Sequence, residues 1–518
     1  MKMLKKIISG VLATFTLFSC ASCFNLFNKQ ADSTDQPNEV VTDIATAPDY
    51  STSTKKLNMF AYVGPTNGRY TLINGTPMEV EDFRTAERYQ EYKDCGFDTL
   101  LLLGNDGYNG VGSYDRSDLK MNLDLCESVG LNCIVFDTRL HDLSIRTKSL
   151  IGTGSGQFES VEALAEHIKG LMANYYEHPA FYGVSIKDEP IATQLRAIGD
   201  LYSAFDIINA ERKEAGLCEL YINTVMLPYK SGAENFSEDK TLGSKKAYRD
   251  YIQKFLTYTD AAAFDYDAYP FKYTTTNDCA DDPEESYIET QYLANLQIVS
   301  EETAALGKDF YLTMQSHAST TGAVMSAYKR QMVIEDFRWQ LNAAFAFGVK
   351  DLRYFTYWTF PNHATGDSQD FAIMSDTGEK QYYDMVQTTN AEAQKQAQVV
   401  LNFDYVQTML NSPEERRTQL QHFTGIKEAE TISGVTFEAN YGVLLNEMID
   451  KGNNRKGYYV MNAEDPAENV TAKVKLTFDG FEYVAVYQRG ERTLYKLNDG
   501  VWNYEFPEGE GAFVIPFN

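Results

Sequence analysis

From residue 57 to about residue 360 the chain repeats one phrase: a short apolar run, a polar loop, an amphipathic stretch, a glycine, and another apolar run. The runs fall at 57–63, 99–103, 133–136, 181–186, 220–225, 261–264, 310–314 and 352–358. Between them, sets such as Leu195, Ile198, Leu201, Tyr202, Phe205 and Ile208 recur at three-and-four spacing, which lays one apolar helix face against a sheet. Gly96, Gly130, Gly216, Gly307 and Gly348 each stand shortly before the next run, where a helix that ends in a left-handed residue needs a glycine. Eight strands alternating with helices over about 300 residues predict an α/β fold of the (β/α)8 barrel type. A doubly wound open sheet is the competing arrangement, but its switch point favours a Gly-rich phosphate loop, and the sequence has none.

After about residue 396 the texture changes to short β-rich segments at 442–445, 457–462, 471–478, 483–488, 493–497 and 511–517, separated by Gly, Asn and Asp. This pattern predicts a small antiparallel β-sandwich. At the other end, Lys2, Lys5 and Lys6 precede an apolar stretch at 7–17, which resembles a bacterial export signal and is too short to span a membrane. Leu17-Phe18-Ser19-Cys20 resembles a lipoprotein box, with Cys20 as the lipidated residue and Cys23 as a second candidate. Residues 29–55 are mostly Ser, Thr, Asp, Pro and Ala, a composition that cannot offset the entropy of ordering. The expected division is therefore an export region at 1–28, a disordered tether at 29–55, the barrel at 56–395 and the sandwich at 396–518. The expected location is the outer face of a bacterial membrane.

Composition narrows the partners. With 518 residues, 43% apolar and 23% charged, the chain can bury a large core, and disordered, collagenous and coiled-coil classes are excluded. The formal charge of −27 repels phosphate backbones and anionic lipid heads. Nucleic acid is excluded as a partner on that ground, and a membrane is expected to be met only through the lipid anchor. Cys95, Cys126, Cys133, Cys218 and Cys279 show no CxxC spacing, so neither a disulfide framework nor a zinc site is indicated. No cofactor is implied.

In a barrel the chemistry sits where strands end, so the residues just past each run carry the interest. The fourth run leads into Ile186-Lys187-Asp188-Glu189-Pro190. A carboxyl at a partly desolvated strand end has its pKa raised and can hold a proton near neutrality. The plainer reading of Glu189 is an acid favoured by a helix dipole beside Pro190. The sixth run continues as Asp265-Tyr266-Asp267-Ala268-Tyr269, whose period of two lets both aspartates face one side. Asp106 after the second run, and Asp137 with Arg139 after the third, stand on the same rim; ordinary turn roles suit them equally well. The acidic stretch of Asp278, Asp281, Asp282, Glu284 and Glu285 lacks the one-three-five ligand spacing and central glycine of a calcium loop, so no metal site is expected.

Residues 178–190 are similar to the clan A glycoside hydrolases, whose fourth strand carries an acid/base Glu in an Asn-Glu-Pro or Asp-Glu-Pro setting. The likeness covers the barrel, and the phrases at 458–462 and 507–513 resemble the sandwiches that follow many such barrels. The resemblance implies a carbohydrate substrate, hydrolysis of an O-glycosyl bond, and Glu189 protonating the leaving oxygen beside Asp188. It also implies that Trp358, ending Tyr354-Phe355-Thr356-Tyr357-Trp358, stacks on a sugar; Asp106, Asp137, Arg139, Asp265, Tyr269, Gln315 and His317, placed near strand ends, are the further candidates for substrate contact. Strand seven departs from the pattern. Clan A members place a nucleophilic Glu there, whereas this chain reads Met314-Gln315-Ser316-His317, and an amide cannot attack an anomeric carbon. Three routes stay open: an aspartate from another strand, with Asp267 foremost; the substrate's own 2-acetamido group, oriented by Asp188; or a barrel that binds a glycan without cleaving it.

Overall fold

Each apolar run of the repeat forms a strand: β1 (Met59–Tyr62), β2 (Thr99–Leu102), β3 (Asn132–Phe136), β4 (Phe181–Asp188), β5 (Tyr221–Met226), β6 (Ala263–Asp267), β7 (Asp309–Gln315) and β8 (Asp351–Phe355). All pair in parallel in chain order, and β8 closes on β1 through Leu352 opposite Met59. The helices that return the chain are α1 (Ala86–Asp94), α2 (Arg116–Val129), α3 (Val161–Met172), α4 (Leu195–Glu214), α5 (Ser244–Thr259), α6 (Tyr292–Leu306), α7 (Ile334–Ala346) and α8 (Tyr383–Val400). Gly307 ends α6 at φ 65° with its N–H bonded to Ala304 O, the left-handed cap that the glycine spacing predicts. This is a computed structural model, and it describes residues 36–66, 69–71, 77–79, 81–102, 116–239, 241–273, 286–319, 329–359, 371–413, 416 and 420–518. The export signal, Cys20, Asp106 and the acidic stretch at 278–285 lie outside the described residues.

A parallel barrel is covered outside by helices and filled inside by side chains. Here the filling is partly polar. Arg353 on β8 is 1% exposed and lies between the rings of Phe60 at 4.7 Å and Tyr311 at 4.3 Å. Its Nε is 3.0 Å from Asp265 Oδ2, and its Nη2 donates to Tyr221 Oη at 2.9 Å. Above this pair, Asn223 Nδ2 donates to Ser185 Oγ at 3.2 Å and to Tyr62 Oη at 3.3 Å. A salt bridge this deep adds little net stability, but it fixes the level on which the mouth of the barrel is built.

The C-terminal region forms β9 (Asp404–Asn411), β10 (Val435–Ala439), β11 (Val443–Asp450), β12 (Arg455–Asn462), β13 (Ala472–Phe478), β14 (Tyr483–Gln488), β15 (Glu491–Lys496), β16 (Val501–Phe506) and β17 (Gly511–Phe517). One sheet runs β15-β14-β17-β12-β11-β9 and the other β10-β13-β16, all antiparallel. The larger sheet is covered on both faces, by the smaller sheet and by the barrel helices, which is why every residue of β17 is buried. Asn342 on α7 ties the two parts together, donating to Gly509 O at 2.8 Å and accepting from Tyr459 Oη at 2.7 Å.

The expectation of a tether at 29–55 is corrected for its described part. Residues Glu39–Val41 form a strand that pairs antiparallel with the edge of β15, Glu39 opposite Lys496. Beyond it, Pro48 O accepts from Tyr487 Oη at 2.7 Å, and the Tyr50 ring packs 5.5 Å from Phe403. Composition missed this because an edge strand is held by backbone hydrogen bonds, and three residues with one half-buried tyrosine scarcely move an average over the segment.

Candidate active site

The end of β4 is set by an irregularity. Ser185 faces Asn223 on β5 but Lys187 faces Thr224, so one extra residue bulges between them and re-aims the side chains beyond it. Asp188 then stands opposite Val225, and Glu189 donates its N–H to Val225 O at 2.8 Å. Glu189 itself adopts φ 48°, a left-handed conformation costly for a residue with a Cβ and often met where a site holds a side chain in place. Pro190 O accepts from Tyr251 Oη on α5, so the turn is anchored on both sides.

Two strands along, β6 carries Asp265 and Asp267. Asp265 is taken up by Arg353, whereas Asp267 stands one step higher, level with Thr313 of β7. Tyr269 comes next, its ring 5.6 Å from Phe355 and nearly parallel to it at 27°. The His317 ring meets Tyr269 edge-on at 5.0 Å, and Tyr62 lies 5.9 Å from Phe355. The mouth thus has a carboxyl side, made of Asp188, Glu189 and Asp267, and an aromatic side, made of Tyr62, Tyr269 and Phe355.

The three carboxyls share one field. Burial and the charge of Asp267 push Asp188 up to about 7, with the Lys187 ammonium pulling the other way. Glu189 is pushed up to about 8 by burial, then by Asp267 and Asp188, against the pull of Lys230 and Lys187. Solvent reaches both side chains from the open side of the mouth while protein surrounds the rest. Burial raises Asp267 too, but Lys230, the Tyr269 hydroxyl and Lys329 all hold its charge. All three carboxyls are thus raised, and they titrate together as one coupled group.

Several residues expected on the rim have other work. Trp358 is fully buried with its ring 5.0 Å from Phe83, so it offers no face for stacking; the Phe355 and Tyr269 rings are partly exposed. Gln315 is also fully buried. Its Oε1 accepts from Phe271 N at 3.0 Å, and its Nε2 donates to Phe271 O at 3.2 Å and His317 O at 3.1 Å, which leaves nothing for a ligand. His317 is 2% exposed with Nδ1 at 2.6 Å from Phe355 O, and burial holds its pKa far below the usual imidazole range. It is a neutral wall residue. Asp137 is fully buried, caps the short helix Thr138–Ser144 through Arg139 N, and accepts from Arg139 Nε at 2.9 Å and Tyr175 Oη at 2.8 Å. Asp137 and Arg139 thus lock one another on the flank of the barrel, and Asp265 is spent on Arg353.

Sequence reasoning missed Tyr62, Phe355, Arg353, Lys187 and Lys230. Lys187 adjoins Asp188 and Tyr62 stands next to the end of the first run, so strand-end logic applied to every run would have found both; Lys230 needs the three-dimensional path of the loop after β5. No family model matches the chain, and no curated protein matches it. Among solved structures it is similar to a glycoside hydrolase at TM-score 0.46 and 11% identity, covering 93% of this chain and 97% of that one. It is also similar to a family 39 glycoside hydrolase from Bacteroides cellulosilyticus, at 0.42 and 12%, covering 89% and 81%. A third likeness is to a family 30 subfamily 8 xylanase from Clostridium acetobutylicum, at 0.38 and 12%, covering 92% and 98%.

Proposed function

We propose that the chain is a glycoside hydrolase in which Glu189 protonates the leaving oxygen and Asp267 is its ionised partner. One observation carries this reading: at the C-terminal mouth of a (β/α)8 barrel, Asp188 and Glu189 at the end of β4 and Asp267 at the end of β6 lie close enough that burial and their mutual charge push all three carboxyls above the usual range. Departure of an alkoxide needs a proton, and the oxocarbenium-like transition state needs a nearby negative charge. The Tyr269 and Phe355 rings present π surface to the C–H face of a sugar. Asp267 attacks the anomeric carbon or deprotonates a water that does so, and the anomeric configuration of the first product, read by NMR, distinguishes the two.

Asp188 supports a second reading. It stands beside Glu189 in the same mouth, and an ionised aspartate accepts hydrogen bonds only. It would orient a 2-acetamido N–H and turn that group's carbonyl oxygen onto the anomeric carbon. Cleavage restricted to 2-acetamido glycosides and blocked by a thiazoline favours this route; cleavage of plain hexosides indifferent to the thiazoline rules it out. The basic and apolar start of the chain and the box ending in Cys20 support an exported, lipid-anchored enzyme.

The decisive experiment is turnover of poorly activated glycosides by the wild type and by Glu189→Gln. General acid help is typically worth about 10²–10⁴, so the variant should lose at least about a hundredfold while sugar binding stays nearly intact. Normal turnover by the variant rejects the role of Glu189. Glycan binding with no cleavage by the wild type would instead leave a binding protein built on the same cleft.

A further inference from the structure

Four lysines from four consecutive barrel segments gather at the mouth of a chain whose formal charge is −27. Lys187 ends β4, Lys230 lies in the turn Tyr229–Ser231 after β5, Lys272 lies in the strand Phe271–Tyr273 after β6, and Lys329 stands after β7. Lys187 bonds the backbone oxygen of Asp188, and the Lys329 ammonium lies 5.5 Å over the Tyr269 ring. Lys230 and Lys272 are arranged differently. Both address a single oxygen, Oε2 of Glu289, Lys230 at 3.4 Å and Lys272 in direct contact. The hairpin fixes that carboxylate in place: Phe271–Tyr273 pairs antiparallel with Ser286–Ile288, and Glu289 donates its N–H to Pro270 O at 2.7 Å.

Two ammonium groups thus converge on one carboxylate oxygen. Water reaches little of Lys272, whose side chain is 12% exposed, whereas Lys230 at 39% opens to the mouth. The strain of this arrangement shows in Lys272, which burial and the neighbouring Lys230 push down to about 8. Lys230 also reaches inward far enough to act on both Glu189 and Asp267. An added anion beside them would meet both ammonium groups at once, and a partly buried site makes that gain larger than at an open surface.

We infer that Lys230 and Lys272 form a subsite for an anionic substituent, the carboxylate of a uronic acid or a sulfate ester, on the sugar held in the mouth. The inference rests on the reading of that mouth as a glycan site. A neutral hydroxyl or hydroxymethyl group gains a hydrogen bond from such a pair, whereas an anion gains charge-assisted bonds to both. The overall negative charge works against a densely charged polymer, so the fitting ligand carries one acidic sugar beside the bond to be cleaved rather than a polyanionic run.

The test is calorimetric titration of Glu189→Gln protein, which binds without turnover, with matched methyl glycosides in gluco, galacto, manno and xylo series, each neutral, uronate or sulfated where the series allows. At least one charged member should bind about tenfold more tightly than its neutral counterpart. That gap should narrow as salt rises from about 0.05 to about 0.5 M, and Lys230→Ala in the same background should abolish it while Lys230→Arg restores part. Whether the uronate or the sulfate wins identifies the anion. If no charged member outbinds its neutral partner, or if the gap survives Lys230→Ala, the inference is overturned; the exposed position of Lys230 makes this variant safe where Lys272→Met could unfold the hairpin. Wild-type turnover on the same panel separates the two readings. Charge-selective binding without cleavage rejects the hydrolase and keeps the subsite, and cleavage without charge preference does the reverse.

Discussion

Glu189 gathers in one residue the features that a general acid needs: an anchored backbone, a neighbouring carboxylate, and partial enclosure. Each has a cost that should be measurable. Its folded-state pKa of about 8 lies above the ordinary carboxylate range, so the folded protein binds this proton more tightly than the unfolded chain. The resulting stability is fully present below the ordinary carboxylate pKa and is lost as pH rises through about 8. Glu189→Gln cannot ionise and escapes that loss. Melting temperatures of the two proteins should therefore coincide near pH 4 and separate by pH 9, with the variant higher by roughly two degrees, a small figure because the side chain is open to solvent. The activity of the wild type should fall over the same alkaline range, since the acid form is the working form. A variant that melts below the wild type at pH 9 would mean that the charge of Glu189 is compensated in the folded state and that the proposed proton is not held there.

The strands and their order were legible because a parallel barrel writes itself as buried apolar runs at regular distances, and all eight runs became strands in chain order. Which strand-end side chains face a ligand could not be read in the same way. Gln315 and Trp358 stand at or just past the ends of their strands as the repeat requires, yet both are spent on packing, a choice made by neighbours distant in sequence such as Phe271 and Phe83. Strands β9, β10 and β16 were missed because alternating or mixed runs such as Val435–Ala439 carry little apolar signal of their own. The role of Gln315 yields a test at this scale. Its amide nitrogen bonds two carbonyl oxygens and its amide oxygen one N–H, pinning the start of the hairpin to β7. Gln315→Glu restores the residue type that clan A barrels use on strand seven but turns a carboxylate against two carbonyl oxygens in a dry site. It should destabilise the fold by about 3 kcal/mol in denaturant titrations and should not raise activity. A gain in turnover with unchanged stability would show that position 315 faces the ligand after all.

For the whole molecule, the barrel and the sandwich share one continuous apolar core through Tyr459, Met461 and Phe513, and the N-terminal segment lies across the far edge of that assembly. An open edge strand invites pairing with other chains, and proteins commonly cover it. Here the chain covers its own: Glu39–Val41 occupies the edge of β15, Asn38 Nδ2 donates to Val501 O at 2.7 Å, and Arg492 Nη1 donates to Pro48 O at 2.8 Å. Tyr50 fills the space between Phe403 and Tyr487. The segment therefore acts as a strap on the sandwich. The melting temperature of the chain without residues 1–35 is the reference. Removing residues 1–55 should lower it by about four degrees or more, expose the β15 edge, and raise the aggregated fraction seen by light scattering, while the barrel mouth keeps its turnover at low temperature. Equal melting temperatures for the two truncations would mean that the strap contributes nothing to the fold and that its pairing with β15 is incidental.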